Sequence, residues 1–321
     1  MSKIDTDLLT LTRCVVNNQK LHSQAKGDLT LLLMSIQLAC KMIASTVRKA
    51  GIIHLTGLAG NQNVQGEDQK KLDVISNDFF INALKSCGKV KLMISEENEA
   101  PIISSYDAPY AVCFDPLDGS SNIDAGVNVG SIFSIFKIKD QNDPINSVLT
   151  SGKEMVCAGY CMYGMSTEMV LWCGDELVQG FTLDPTIGEF LLTRPSIRVP
   201  SRGKIYSVNE GNFNNWFEYC KLYFNSVKQG KALESGNGCT SDKSYSLRYV
   251  GSMVADVHRT LLYGGIFAYP KDLKSKGKLR ILYEVFPMSI LVEKAGGASY
   301  NEGTRVYTIH IGVRYGSNWY S

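Results

Sequence analysis

Asp115-Pro116-Leu117-Asp118-Gly119-Ser120-Ser121-Asn122 follows directly on an apolar run that ends at Phe114. An apolar strand therefore delivers two carboxylates, separated by Pro and Leu, to its carboxyl end. There they can converge on one hard cation, with the Leu117 carbonyl as a further oxygen ligand. The Gly119-Ser120-Ser121 that follows exposes successive backbone N–H groups and hydroxyls, and such a nest or helix start holds a phosphate. The same residue types also build ordinary solvated turns. The choice between the two readings rests on what the rest of the chain brings to this strand end.

Working outward, Glu96 and Glu97 end the apolar run Leu92 to Ile94. A parallel strand there would bring their carboxylates to the same sheet edge as Asp115. Asp73 and Glu67 stand close together in the segment before it, and Glu284 closes Arg280-Ile281-Leu282-Tyr283-Glu284. Each alone would be a solvated surface group. Together they describe a cation cluster beside an anion cup. Phosphoryl transfer needs such a cluster to neutralise the phosphoryl oxygens and to acidify the attacking water.

The strongest periodic segment is a helix over 28–50, with Leu29, Leu32, Leu33, Ile36, Cys40, Ile43 and Val47 on one face. Asp28 is its expected cap, Arg48 and Lys49 suit its carboxyl end, and Gly51 suits the position beyond. A Gly- and Asn-rich loop at 57–66 leads into a second helix through Leu72, Ile75, Phe79 and Leu84. Strands are expected at Val90 to Ile94, Tyr110 to Phe114, Ile132 to Ile138 and Met155 to Tyr163. After Arg194-Pro195 the pattern restarts with a strand at Ile205 to Val208. Helices follow near Trp216 to Phe224, Met253 to Tyr263 and Met288 to Ala295. A domain boundary is expected at that restart, giving an N-terminal unit 1–195 and a C-terminal unit 196–321.

In 321 residues, 44% hydrophobic and 20% charged, the chain has material for a large core. With 33 Lys and Arg against 31 Asp and Glu, it has no general surface for nucleic acid or membrane. No run of 18 apolar residues and no secretory leader are seen, so a cytoplasmic location is expected. The nine cysteines are odd in number and scattered, and read as reduced thiols. Cys157 and Cys161 are spaced like a metal pair, yet they lie in a strand-like stretch without matching His or Cys, so core packing accounts for them.

Taken together these segments resemble the fructose-1,6-bisphosphatase family along nearly the whole chain, within the wider group of magnesium-dependent, lithium-sensitive sugar and inositol phosphatases. Asp115 to Ser120 carries the wider resemblance. Lys70-Lys71-Leu72-Asp73-Val74, Asn209-Glu210-Gly211, the run Arg248 to Arg259, and Gly277 to Pro287 carry the narrower one. The resemblance implies a layered α-β-α-β-α sandwich, the sugar phosphatase fold, assembled as a homotetramer. It implies ligation of Mg2+, with Mn2+ or Zn2+ as alternatives, by Glu96, Asp115, Asp118, Glu284 and the Leu117 carbonyl. Glu67 matches a further ligand, and the order Glu67-Asp68 leaves open which of the two reaches the metal. Asp73, aided by Glu97, would activate water. Asp118, Gly119, Ser120 and Ser121 would cradle the scissile phosphate of a sugar bisphosphate. Asn209, Tyr249 and Tyr269 would hold its distal phosphate, joined by Arg248 from a neighbouring subunit. Met253 and Lys278 would contact the sugar, with Arg280 close by.

The resemblance also implies an inhibitory AMP site at the start of the 28–50 helix, built from Gly27, Asp28, Leu29, Thr30, Tyr110 and Lys137. Here Lys26 stands where Thr is usual, Pro109 where Lys is usual, and Lys137 where Arg is usual. The expectation is weakened binding, since Lys lacks the bidentate fork of Arg. Asn212 replaces a usual Tyr, and no cysteine loop marks a redox-controlled plastid form. After Asn301 the family's final strand and helix are not recognisable, which leaves a terminus that is divergent or loosely held. A sedoheptulose bisphosphatase or inositol-phosphate phosphatase would share the metal core, although Arg248 and Tyr249 favour the hexose bisphosphate. A non-catalytic nucleotide-binding or scaffold protein would not need the acidic ligands.

Overall fold

The computed structural model describes residues 7–52, 57–62, 68–175, 177–230, 243–275, 277–301 and 303–309. The strands at the centre are β3 (Val90–Ser95), β5 (Tyr110–Asp118), β6 (Val129–Lys137) and β7 (Met155–Tyr163). They are flanked by β4 (Ile102–Ile103), β8 (Thr167–Trp172), β9 (Gln179–Asp184) and β10 (Glu189–Arg194) in an eight-stranded sheet of order β10-β9-β8-β7-β6-β5-β3-β4. Only β3 and β5 run parallel; the remaining neighbours are antiparallel.

Both faces of this sheet are buried, which is why its central strands read as unbroken apolar runs. Alternation along β5 sorts the residues: Val112 and Phe114 enter one core, Ala111 and Cys113 the other. The first core is covered by α1 (Leu11–Lys20), α2 (Asp28–Lys49) and α3 (Lys71–Ser86). The second is covered by α5 (Met253–Tyr263) and α6 (Phe286–Lys294). Beyond lies a small parallel sheet of β11 (Ile205–Ser207), β12 (Ser246–Leu247) and β13 (Ile266–Phe267), ordered β12-β11-β13. Trp216 and α4 (Glu218–Gln229) form the core beside it. The result is a layered α/β architecture, with the second core drawing on both sides of residue 195.

Several expectations need adjustment. Gly27, in left-handed conformation, precedes α2, so Asp28 is its first helical residue and gives no capping bond; it pairs instead with Lys89 at 2.7 Å. The helix ends at Lys49 with Ala50 as its cap, and Gly51 does not adopt a left-handed turn. The expected loop at 57–66 contains β1 (Leu58–Gln62), paired with β2 (Asp68–Lys70). The helix expected from Trp216 starts at Glu218. By length and composition α2 could span a membrane, but its inner face, including Leu32, Leu33, Ile36 and Ile43, packs into the first core.

Of the divergent terminus, residues 305–309 are described and pack on the protein, while 310–321, on which the rest of that expectation falls, lie outside the described residues. Beyond the hairpin of β14 (Tyr300–Asn301) and β15 (Thr304–Arg305), Val306 is buried and the Tyr307 carbonyl accepts the Ser151 hydroxyl at 2.8 Å.

Candidate active site

The β3–β5 register sets the site. Ser95 lies opposite Phe114, and the Glu96 N–H donates to the Phe114 carbonyl at 3.2 Å, so Glu96 leaves the sheet beside Asp115. On the other side of β5, Asp115 faces Ile132 and Asp118 faces Gly130, two intervening residues against one. This bulge accommodates Pro116, which has no N–H for a regular ladder. The Ser131 hydroxyl fixes the bulge by donating to the Pro116 carbonyl at 2.7 Å, and the Leu117 N–H donates to Asp115 Oδ1 at 2.9 Å. Asp118 is held at the amino end of α5, accepting from the Val254 N–H at 2.9 Å. The helix dipole favours a carboxylate there.

Glu284 arrives from a π-helical turn, Ile281–Val285, that precedes α6. The Ser134 hydroxyl of β6 donates to the Leu282 carbonyl at 2.6 Å and locks that turn to the large sheet. Carboxylate oxygens of Asp115, Asp118 and Glu284 all lie within 4.8 Å of one another. Arg280, expected beside the sugar, has its guanidinium inside this cluster, 2.7 Å from Glu96 and 3.9 Å from Glu284.

Burial pushes Asp115 and Glu284 well above the usual carboxylate range, and Glu96 and the neighbouring acids add to it. Burial raises Asp118 to about 6 against its bonds from Val254 and Ser252. An all-oxygen, buried set of acids in mutual repulsion fits a hard divalent cation, whose charge would let all of them ionise.

Asp73 sits in the first turn of α3, where Oδ2 accepts the Lys70 N–H at 2.7 Å. Its other oxygen is buried without a hydrogen-bond partner among the described residues. Burial first, then the charge of Glu97, raises it to about 7. Glu97 accepts from the Gln69 amide, and its own N–H donates to the Ser95 hydroxyl at 3.2 Å.

These acids line a cleft of about 430 Å³ whose walls include Gly119, Ser120, Ser121, Tyr249, Met253, Tyr269 and Lys278. Gly119 is in the left-handed region at φ 79°, and a Cβ there would meet Ser252 Oγ at 2.7 Å, so glycine lets the Gly119-Ser120-Ser121 loop close against α5. Burial, then the nearby Tyr269, raises the Tyr249 phenol to about 12, keeping it a donor.

Asn209 and Arg248 do not line this cleft; both are exposed, and the Arg248 guanidinium donates to the Leu247 carbonyl at 2.7 Å. Glu67 lies outside the described residues, while Asp68 opens β2. Sequence reasoning missed Asp256. Fully buried, it accepts from the N–H groups of Val250 and Gly251 and from Arg259 at 2.6 Å, bracing the loop that carries Tyr249. Its spacing from Arg259, three residues on in α5, was the available signal.

At the far end of β5, the AMP-site candidates gather at the start of α2. Burial raises the Tyr110 phenol, and nearby Asp28 and Cys157 add to the shift. Tyr110 faces Lys137 across the β5–β6 ladder, and the Thr30 hydroxyl donates to Gln19 at 2.6 Å.

Two family models match the chain: the fructose-1,6-bisphosphatase N-terminal domain over residues 9–195 and the C-terminal domain over 199–313. The second match runs past Asn301, where the sequence had looked unrelated. The cytosolic fructose-1,6-bisphosphatase of Oryza sativa subsp. indica is 56% identical over 299 residues, covering 92% of this chain and 86% of that protein. The cytosolic Arabidopsis thaliana protein is 54% identical over the same length, covering 92% and 85%. The crystal structure of Leishmania major fructose-1,6-bisphosphatase in holo form superposes with a TM-score of 0.85 at 44% identity, covering 95% of this chain and 91% of that one. By sequence along nearly its full length and by fold, the chain belongs to the fructose-1,6-bisphosphatase family.

Proposed function

We propose that this chain hydrolyses the 1-phosphate of fructose 1,6-bisphosphate to give fructose 6-phosphate and phosphate, a gluconeogenic step carried out in the cytosol. The observation that carries the reading is the convergence of Asp115, Asp118 and Glu284 within 4.8 Å on a cleft that also presents Gly119, Ser120 and Ser121.

Divalent cations, Mg2+ first and Mn2+ or Zn2+ as alternatives, would neutralise the phosphoryl and leaving oxygens when bound. Asp115, Asp118, Glu284, Glu96 and the Leu117 carbonyl would hold them, with Glu67 as a further ligand. Asp73, near neutrality, accepts the proton of the attacking water, and Glu97 keeps its affinity for that proton high. The amides and hydroxyls of Gly119 to Ser121 hold the scissile phosphate. Tyr249, Tyr269 and Lys278 donate to the far end of the substrate, and Met253 packs on the sugar. Arg248 and Asn209, outside this cleft wall, act at the distal phosphate, with Arg248 supplied by a neighbouring subunit.

A homotetramer is consistent with the outward face of α2, where Leu31, Met34, Leu38 and Met42 are exposed in a stripe. AMP binding at the start of α2 is weakened by Pro109 and Lys137 and by the engagement of Asp28 with Lys89. A division near residue 195 is supported by the large sheet lying before it and the small parallel sheet after it.

Phosphate release from fructose 1,6-bisphosphate, sedoheptulose 1,7-bisphosphate and inositol monophosphate, each with and without Mg2+, tests the reading. Metal-dependent release from the hexose bisphosphate is expected to dominate. Release confined to the inositol ester would overturn the substrate assignment, and no release at all would overturn the enzymatic one.

A further inference from the structure

We propose that Cys157 and Cys173 form a dithiol modification site that low-molecular-weight disulfides oxidise to an intramolecular disulfide. The β7–β8 ladder pairs Ala158 with Trp172, so the next residues outward, Cys157 and Cys173, face each other across the sheet. Directly opposed residues on antiparallel strands hold their Cβ atoms at about 4.5–5.5 Å, close to what a disulfide needs. The two sulfurs are 3.2 Å apart. Forming the bond asks for a closing movement of about 1 Å.

Accessibility separates this pair from the other close thiols. Cys157 is fully buried, whereas Cys173, just past the end of β8, is only partly covered. Cys161 hydrogen-bonds Cys40 across the first core, but both of those are buried. A reagent can therefore reach Cys173 and, through it, Cys157, while Cys40 and Cys161 have no exposed member. The pair also lies beside the α2 start: Cys157 is next to Tyr110, and Asp175, two residues beyond Cys173, accepts from Asn18 of α1 at 3.3 Å.

The chemistry balances with a dialkyl disulfide as oxidant. The Cys173 thiolate attacks one sulfur of the reagent; a mixed disulfide forms on Cys173 and one reagent thiolate leaves, taking up a proton. The Cys157 sulfur, losing its proton, then attacks Cys173 Sγ and expels the second reagent thiol. Two protein thiols are oxidised and one small disulfide is reduced to two thiols. Cytosolic disulfides of this kind are transient and redox-sensing rather than structural.

The test equilibrates the reduced full-length protein with oxidised and reduced glutathione, quenches it with an alkylating agent, and maps its peptides by mass spectrometry after cleavage at Glu168. A cross-linked peptide pair joining Cys173 to the segment that carries Cys157, lighter by two hydrogens, is expected in wild type and in Cys161→Ser. Cys157→Ser should lose that species completely and accumulate glutathione on Cys173 instead. Circular dichroism checks that each variant is folded. The proposal is overturned if the cross-link survives in Cys157→Ser, if folded wild type stops at the mixed disulfide, or if Cys173 stays reduced.

Discussion

Asp73 combines three properties that a general base needs. It is buried, one of its oxygens has no hydrogen-bond partner among the described residues, and its proton leaves at about 7. Activity should therefore rise with pH through about 7 as the carboxylate becomes free to accept a proton. Asp73→Asn preserves the shape and removes the proposed base, and kcat should fall roughly 10²–10⁴-fold, the usual contribution of such catalysis. The pH–rate profile should lose its limb near 7; a variant that keeps the limb would assign it to another group. Gly119 tests the anion loop. Gly119→Ala places a Cβ 2.7 Å from Ser252 Oγ at a backbone φ of 79°. Left-handed strain alone costs about 1–2 kcal/mol, and the clash pushes the loop away from α5. Substrate KM should rise and melting temperature drop together, measured on the same preparation. The role of Asp73 came from the family resemblance, while Asp115 and Asp118 could be picked out from sequence because they leave one apolar strand end together beside a glycine turn. Ser131 and Ser134 could not, since a serine within an apolar strand looks the same whether or not it fixes a bulge or a π turn.

Elements were legible in proportion to how uniform their environment is. β5, β6 and β7 lie between two cores, and their continuous apolar runs announced them; β7 was bounded to the residue. The β8–β10 meander escaped notice because polar groups such as Glu168 and Thr182 interrupt it, bonded to each other and to Arg194. α1 also escaped because its apolar face is short: Leu11, Cys14 and Val15 pack into the first core, and the rest of the segment is polar. The π turn that aims Glu284 has no local signature, yet such turns recur at functional sites. The loop before α5 shows how an element can depend on one acid. Both oxygens of Asp256 are engaged, taking the Val250 and Gly251 N–H groups as well as Arg259. In Asp256→Asn one of those oxygens becomes an amide donor facing N–H groups. Losing such charged bonds costs about 1.5–3 kcal/mol, and the loop should no longer hold Tyr249 in place. KM for the bisphosphate should rise roughly tenfold, about 1.4 kcal/mol of binding, with a smaller change in kcat. An equal fall in kcat at unchanged KM would mean that the loop serves the reacting phosphate instead.

At the scale of the molecule, the order of the layers came from family resemblance, since periodicity alone does not say which faces meet. The position of Arg280 among the acids came only from the fold. That acidic cluster links stability, pH and metal. Within the folded chain Asp73 and Asp118 are raised to about 7 and about 6, and Asp115 and Glu284 also stand above their ordinary values. The folded chain thus retains protons that the unfolded chain, with Asp near 3.8, has already lost. Where the native state binds more protons, stability falls as pH rises, here from about 4 through about 7. His258 works in the opposite direction. Burial lowers it from 6.5 to about 4, so its contribution is complete above 6.5 and is lost as pH falls toward 4. A single melting curve mixes the two effects, but the difference between curves with Mg2+ and with chelator should cancel His258, which bonds Tyr160 and is not among the proposed cation ligands. Cations bind the folded, ionised cluster, adding about 2.7 kcal/mol at a hundredfold excess over Kd. The Mg2+-minus-chelator gap in melting temperature should therefore widen steadily as pH climbs through 6 and 7, the range in which Asp118 and Asp73 lose their protons. A gap that stays flat or narrows over that range would mean that these carboxylates do not share a cation.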